Sequence, residues 1–402
     1  MRDRKEKILF FVYGGVGFLA VLSAAFLVAS KTGTNFLAHS AYDTFTLQAM
    51  TWREGGVALS RNYPWLELAI YQGEYYVSFP PVPTIPMWLL SFAFGMDTPS
   101  ALVTLLYLLG GYAAAFCLLR RHMPSGHAAC FAVFVSLGGS LLDVAVSGTG
   151  FGGAVWYQAQ TLAFLLTMLA MLLLDGGRPL GWAAGLVCIA LAVGARPFNA
   201  LYVPVLLWML YLHVREERVP RGIVKMLPYI VLPALIAAAY GVYNYARFGN
   251  PLEFGHNYLP EFAQYGPMLQ PGCVWPNFKN TLRPVQLLQG ALTFPNISGF
   301  AVYLTNPMFL YAGGRALAKA LRREADGTDA LLVAAALIHA ATLLMHRTNG
   351  GWQYGTRYFC DVVPALVLLF SRARKPLRLW EAVPIGALVA FNMYATVVFH
   401  GL

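Results

Sequence analysis

The 402 residues are 58% apolar and only 11% charged, with a formal net charge of +10 and a mean hydropathy of +0.56. A soluble domain carries about 25% charged residues, so this composition excludes a disordered chain, a disulfide-rich secreted scaffold, a collagen, a coiled coil and an ordinary cytosolic enzyme. Lipid is the main solvent, and the excess of Lys and Arg reads as membrane topology rather than nucleic-acid binding.

A helix needs about 20 apolar residues to cross about 30 Å of hydrocarbon. Charge-free runs stand at 8–30, 101–119, 127–142, 151–174, 180–195, 197–212, 226–246, 284–314, 330–345, 362–371 and 382–402. They predict an all-α polytopic membrane protein of about eleven transmembrane helices. The first run is too long for the core of a signal peptide and is expected to be an anchor. Arg2, Arg4, Lys5 and Lys7 precede it, which predicts a cytoplasmic N-terminus. Alternation from there places 19 of the 28 Lys and Arg in inner segments. The stretch 80–96 is apolar but carries Pro80, Pro81, Pro83 and Pro86. It is expected to lie along the outer surface or to re-enter.

Two long outer loops, 31–98 and 247–283, interrupt the pattern, so residues 1–402 read as one membrane domain with elaborated outer loops. Long loops within a compact protein are usually functional. The runs 180–195 and 197–212 have 16 residues each and reach about 24 Å as helix, with Arg196 at their apex. The run 330–345 ends at His346 and Arg347, and Arg357 and Asp361 precede the still shorter 362–371. One such Arg often only snorkels to the headgroups. Three together predict a cavity cut into the outer leaflet, its guanidinium groups matched to a lipid phosphate.

In the first outer loop, Phe45, Ala49 and Trp52 fall at helical spacing after Asp43. Asp43 is therefore either the N-cap of a helix or a carboxylate placed as a general base. Residues 67–78 read as a hairpin turning at Gln72-Gly73, with Glu67 and Glu74 as surface charges or substrate contacts. Tyr42, Trp52, Tyr63, Trp65, Tyr71, Tyr75 and Tyr76 crowd this loop as an interfacial belt or a sugar-stacking platform. In the second loop stand Arg247 and His256, the latter solvated or catalytic. Near the C-terminus, Gly350, Gly351, Trp352, Gly355, Arg357 and Tyr358 form a glycine-rich approach to the last short run. No P-loop, Rossmann glycine pattern or zinc spacing is present, and the five cysteines form no disulfide framework. No cofactor and no metal are expected, and an activated substrate would come from the lipid.

Asp43 after the first span, the stretch from Glu67 to Pro81, Arg196-Pro197, and Gly351-Trp352-Gln-Tyr354-Gly355-Thr-Arg357-Tyr358 with Pro364 together resemble a known family. It is that of bacterial membrane glycosyltransferases of the C-type fold, related to dolichyl-phosphate-mannose protein mannosyltransferases and aminoarabinose transferases. The resemblance implies an inverting transfer on the outer face of the cell membrane. The donor would be a polyprenyl-phosphate-linked sugar, and the acceptor a hydroxyl of a glycan, lipid or protein. It implies Asp43 as base; the residues themselves lead us to expect Arg196 and Arg357, with Arg247 and Arg347 as further candidates, as partners of the leaving phosphate. Tyr358, Glu67, Glu74, His256 and Trp352 are expected as further substrate contacts. Two departures stand out: Asp43 is followed by Thr44 where many protein-mannosyltransferase-type relatives carry Asp-Glu, and the chain ends at Leu402 without the soluble C-terminal domain of many bacterial relatives. The rival reading is a transporter or flippase of a lipid-linked sugar, which would show paired halves or broken helices at the bilayer midplane. A scaffold subunit would not need an outward acid and several arginines together.

Overall fold

The computed structural model describes residues 2–148, 151–215, 222–288 and 290–401, so part of the inner segment 213–225 lies outside it. The chain opens with α1 (Arg2–Thr32) and a short juxtamembrane helix α2 (Thr44–Arg53). A hairpin of β1 (Leu68–Tyr71) and β2 (Glu74–Val77) follows, then α3 (Thr84–Phe94). The hairpin turns at the expected residues: Gln72 and Gly73 both take positive φ, 52° and 84°, the conformation of a two-residue turn between antiparallel strands. With 11 residues, α3 is about 17 Å long and cannot cross a bilayer.

The bundle is built from α4 (Ser100–Arg120), the broken pair α5 (Ser125–Leu137) and α6 (Ser140–Val146), α7 (Val155–Asp175), α8 (Pro179–Val193) and α9 (Val203–Arg215). Next come α10 (Gly222–Phe248), the loop helix α11 (Val274–Thr281), and the hairpin of β3 (Gln286–Leu288) and β4 (Ala291–Thr293). The chain closes with α12 (Val302–Thr305), α13 (Met308–Leu321), α14 (Gly327–Leu344), α15 (Val363–Ser371) and α16 (Leu379–Gly401). Helix α7 is the buried axis, packed between α4 and α8, whereas α1 and α10 expose Phe11, Leu19, Leu235 and Val242 along their flanks.

Among the described residues, seven helices are long and apolar enough to span a membrane, or eight if α5 and α6 count as one. Three of the eleven apolar runs do not form such helices, and each has a physical cause. The 15 residues of α8 make about 22 Å, short of a full crossing. All nine residues of α15 are buried, so its apolar sequence meets protein rather than lipid. The run 284–314 lacks charge but holds Gly290, Pro295, Gly299 and Pro307; it folds as a β-hairpin and short helices instead.

The break between α5 and α6 is 62°. It falls at Gly138-Gly139, where a Cβ on Gly139 would stand 2.8 Å from the Thr305 carbonyl. The carbonyl of Gly138 freed by the break accepts from Asn392 Nδ2 at 3.1 Å. The same crossing holds Asn306, which donates to Ser140 Oγ and to the Thr356 carbonyl and so ties the kink to the loop before Arg357.

Charge sorts the two ends of the bundle. Glu6–Arg120, Asp175 with Arg121 and His122, Arg315–Glu381 and Asp329 with Lys319 and Arg372 are ion pairs among the helix ends that the alternation assigns to one side. The β1–β2 hairpin, α3 and the loop 346–357 gather at the opposite end. All five cysteines are free thiols.

Candidate active site

At the hairpin end a cavity of about 460 Å³ opens between α7, the α8–α9 junction, the second long loop and the loop after α14. Its size lies within the about 300–1,000 Å³ of small-molecule sites. Phe151, Trp156, Phe198, Phe254, Phe262 and Leu343 supply apolar walls, and the polar groups converge from four separate stretches of chain.

Arg357 is the most constrained of these. It opens a short 3₁₀ turn, Arg357–Asp361, and is 5% exposed. Its backbone N–H donates to Gln353 Oε1 at 3.1 Å, and its carbonyl accepts from Gln160 Nε2 of α7 at 2.7 Å. Nη2 donates to the Gly350 carbonyl at 3.2 Å, while Nε and Nη1 are buried with no partner among the described residues. A buried guanidinium nitrogen without an acceptor is costly, and this pair of donors is left wanting one. Gly350 and Gly355 hold φ of 87° and 57° on the approach; a Cβ on Gly355 would stand 2.5 Å from Thr305 Cβ. This loop can take its course only with glycine there.

Arg196 enters from the α8–α9 junction. Nε and Nη2 reach Asp361 Oδ2 at 2.9 and 2.8 Å, and the guanidinium lies 4.9 Å from the Tyr358 ring centre. Its charge is therefore partly answered by Asp361, whereas that of Arg357 rests on aromatic faces, Tyr157 at 5.3 Å and Tyr358 at 5.2 Å.

Among the described residues, Glu67 is the only carboxylate lining the cavity. Trp156 donates Nε1–H to Glu67 Oε2 at 3.0 Å. Burial pushes the carboxyl above its ordinary value, against the pull of that hydrogen bond and of the Arg357 charge. His346 and His256 line the same cavity, with ring centres 6.0 Å apart. Burial, then neighbouring charge, pushes His346 down to about 3 and His256 down to about 4, so both are neutral near pH 7. The backbone N–H of Thr348 donates to His346 Nδ1 at 3.3 Å; the proton of the neutral ring is thus on Nε2, a donor.

The cavity brings together Glu67, Arg196, His256, Trp352, Arg357 and Tyr358 of the expected residues. Asp43, Glu74, Arg247 and Arg347 stand outside it. Asp43 is 1% exposed and caps α2: Oδ1 accepts from the N–H groups of Phe45 and Thr46 at 3.0 and 3.1 Å, and Oδ2 from Thr46 Oγ1 at 2.6 Å. Burial raises its carboxyl, opposed by Thr46 and His39. It lies one layer behind the wall, since Tyr42 stacks on Phe151 and leans on Trp156. Glu74 is exposed at the hairpin turn. Arg247 is 2% exposed and pins β2 to the end of α10, donating to the Val77 carbonyl at 2.8 Å and to Asn244 Oδ1 at 2.9 Å. Arg347 braces the second long loop through the Gly266 carbonyl and the Phe262 ring. The seven aromatics of the first loop also stand outside; the aromatic lining includes Phe151, Trp156, Tyr157, Trp352 and Tyr358 instead. Trp156, Tyr157 and the pairing of Asp361 with Arg196 carried no sequence signal of their own, because an apolar helix and a loop must first converge.

No protein-family model and no curated protein matches the sequence. Solved structures do. ArnT from Cupriavidus metallidurans bound to undecaprenyl phosphate superposes with a TM-score of 0.52 at 14% identity, over 90% of this chain and 60% of that one. The oligosaccharyltransferase of Archaeoglobus fulgidus in its apo form gives 0.52 at 15% identity, over 95% and 55%. AglB from Archaeoglobus fulgidus, in complex with an inhibitory peptide and a dolichol-phosphate, gives 0.53 at 14% identity, over 95% and 55%. The chain shares the fold of these ArnT and oligosaccharyltransferase structures. The chain spans between 55% and 60% of the length of these structures.

Proposed function

We propose that the protein is an inverting glycosyltransferase that moves a sugar from a polyprenyl-phosphate donor to an acceptor hydroxyl at the outer face of the membrane. The observation that carries this reading is the Arg357 guanidinium: buried, built into the cavity wall, with two nitrogens lacking an acceptor among the described residues. Guanidinium donors match phosphate oxygens bidentately. The apolar cavity walls suit a prenyl chain and a sugar face.

In this mechanism the acceptor oxygen attacks the anomeric carbon and the bond from that carbon to the phosphate oxygen breaks. The acceptor proton passes to Glu67, whose raised carboxyl suits a base working near neutral pH. The leaving polyprenyl phosphate gains negative charge, which Arg357, supported by Arg196 and the Nε2–H of His346, stabilises in a partly dry site. Asp43, the base implied by the resemblance, serves in this reading as a positioning residue. It caps α2 behind Tyr42 and Trp156 and so helps set the wall that orients Glu67. A cytoplasmic N-terminus puts the cavity at the outer leaflet.

The experiment is lipid and glycan mass spectrometry of cells lacking the gene. Accumulation of a polyprenyl-phosphate sugar with loss of one glycan modification is the expected result. A flippase would instead leave its lipid-linked sugar confined to the inner leaflet, where an externally added sugar-oxidising reagent does not reach it.

A further inference from the structure

A second recess, of about 420 Å³, opens at the opposite end of the bundle, between α13 and the segment 373–384. Five basic side chains line it, Arg315, Lys319, Arg322, Lys375 and Arg378, with the single carboxylate Glu381. Two of the five are engaged. Lys319 holds Asp329, and Arg315 pairs with Glu381 at 3.3 Å while lying 3.9 Å from the Phe370 ring centre. The side chains of Arg322, Lys375 and Arg378 have no ion-pair partner among the described residues. Like charges gathered around one recess repel unless an anion answers them.

The rest of the lining is largely apolar, and part of it faces outward. Leu310 and Trp380 are 61% and 67% exposed, and Pro384 continues the rim. Trp380 opens the span Trp380–Gly401, the position of an interfacial aromatic. Gly314 lines the recess, and a Cβ there would meet nothing within 4 Å. We infer that this recess binds the phosphate of an anionic glycerophospholipid, with Arg322, Lys375 and Arg378 around the phosphate and Trp380 and Leu310 against the glycerol and acyl region. Basic pockets between membrane helices recognise lipid headgroups in this way. The inference is independent of the transferase reading, since the recess shares no residue with the candidate active site.

Native mass spectrometry of the full chain in detergent, titrated with phosphatidylglycerol, phosphatidylcholine or inorganic phosphate, tests it. The wild type should retain one phosphatidylglycerol at least about tenfold better than phosphatidylcholine, a preference of about 1.4 kcal/mol. The triple variant Arg322→Gln, Lys375→Gln, Arg378→Gln should lose that preference. Gly314→Leu, which keeps every charge but fills open space in the recess, should lose it too and decides the matter if the triple variant does not fold. Retention of the preference by Gly314→Leu overturns the site. Displacement of the lipid by millimolar inorganic phosphate assigns the recess to a soluble phosphate and overturns the lipid assignment.

Discussion

Arg196 grips Asp361 through two nitrogens at 2.8 and 2.9 Å, although the two residues are 165 positions apart in sequence. The pair fixes the α8–α9 junction against the 3₁₀ turn that Arg357 opens, and it leaves Arg357 as the less satisfied of the two cations at the cavity. Breaking a buried pair by removing one partner costs about 3–5 kcal/mol because the other charge is stranded. Asp361→Asn should therefore lower thermal stability in detergent and free Arg196 toward the cavity. An unchanged melting temperature in Asp361→Asn would show that the pair does not hold the junction.

The two carboxylates near the cavity separate cleanly by substitution. Glu67→Gln removes the acceptor of the proton and should reduce single-turnover transfer by about 10²–10⁴-fold. Asp43→Asn keeps a good N-cap and should reduce it far less. A folded Asp43→Asn protein that loses turnover while Glu67→Gln retains it would return the role of base to Asp43.

Acidity offers a second route. The acid limb of kcat/KM should fall at a higher pH than an ordinary glutamate gives, because burial raises the Glu67 carboxyl and activity needs its ionised form. Glu67→Gln should abolish that limb together with most of the rate.

Stability should respond to the buried histidine in the opposite sense to a salt-bridged one. Burial pushes His346 down to about 3 in the folded protein, against about 6.5 for an ordinary histidine. As pH falls below that value the unfolded state takes up a proton that the folded state refuses, so stability declines between about pH 6.5 and 3. The slope reaches about 1.4 kcal/mol per pH unit for the one group. His346→Gln should flatten thermal stability between pH 7 and 5; a wild type that gains stability on acidification relative to His346→Gln would contradict the burial.

Orientation is tested by cysteine labelling. Ser60 and Ala263 are exposed at the cavity end, and Ala325 is exposed at the other. Ser60→Cys and Ala263→Cys should react with an impermeant thiol reagent in intact cells above the wild-type background, and Ala325→Cys should not. Labelling of Ala325→Cys alone would invert the topology.

What could be read from the sequence was local or electrostatic. Gln72-Gly73 specifies its own turn, Asp43 its own cap, and Arg196 and Arg357 stand where an apolar run stops short. Residues whose role depends on convergence stayed hidden. Trp156 is an ordinary aromatic of an apolar helix until Glu67 arrives beside it from 89 residues away. Arg247 presents a charge in sequence, but only the fold shows the Val77 carbonyl and Asn244 already holding it. The run 362–371 reads as a span for a related reason: α15 is as apolar as a lipid-facing helix because protein, not lipid, surrounds it.

In the proposed transferase Arg357 binds the lipid phosphate. Equilibrium binding of a polyprenyl monophosphate to the purified protein in nanodiscs measures it directly. Arg357→Lys keeps the charge but not the paired donors, and Arg357→Gln loses both. Arg357→Gln should weaken binding by about tenfold or more and Arg357→Lys should fall between it and wild type, as hydrogen bonds to charged groups contribute about 1.5–3 kcal/mol. Wild-type affinity in well-folded Arg357→Gln protein would contradict it.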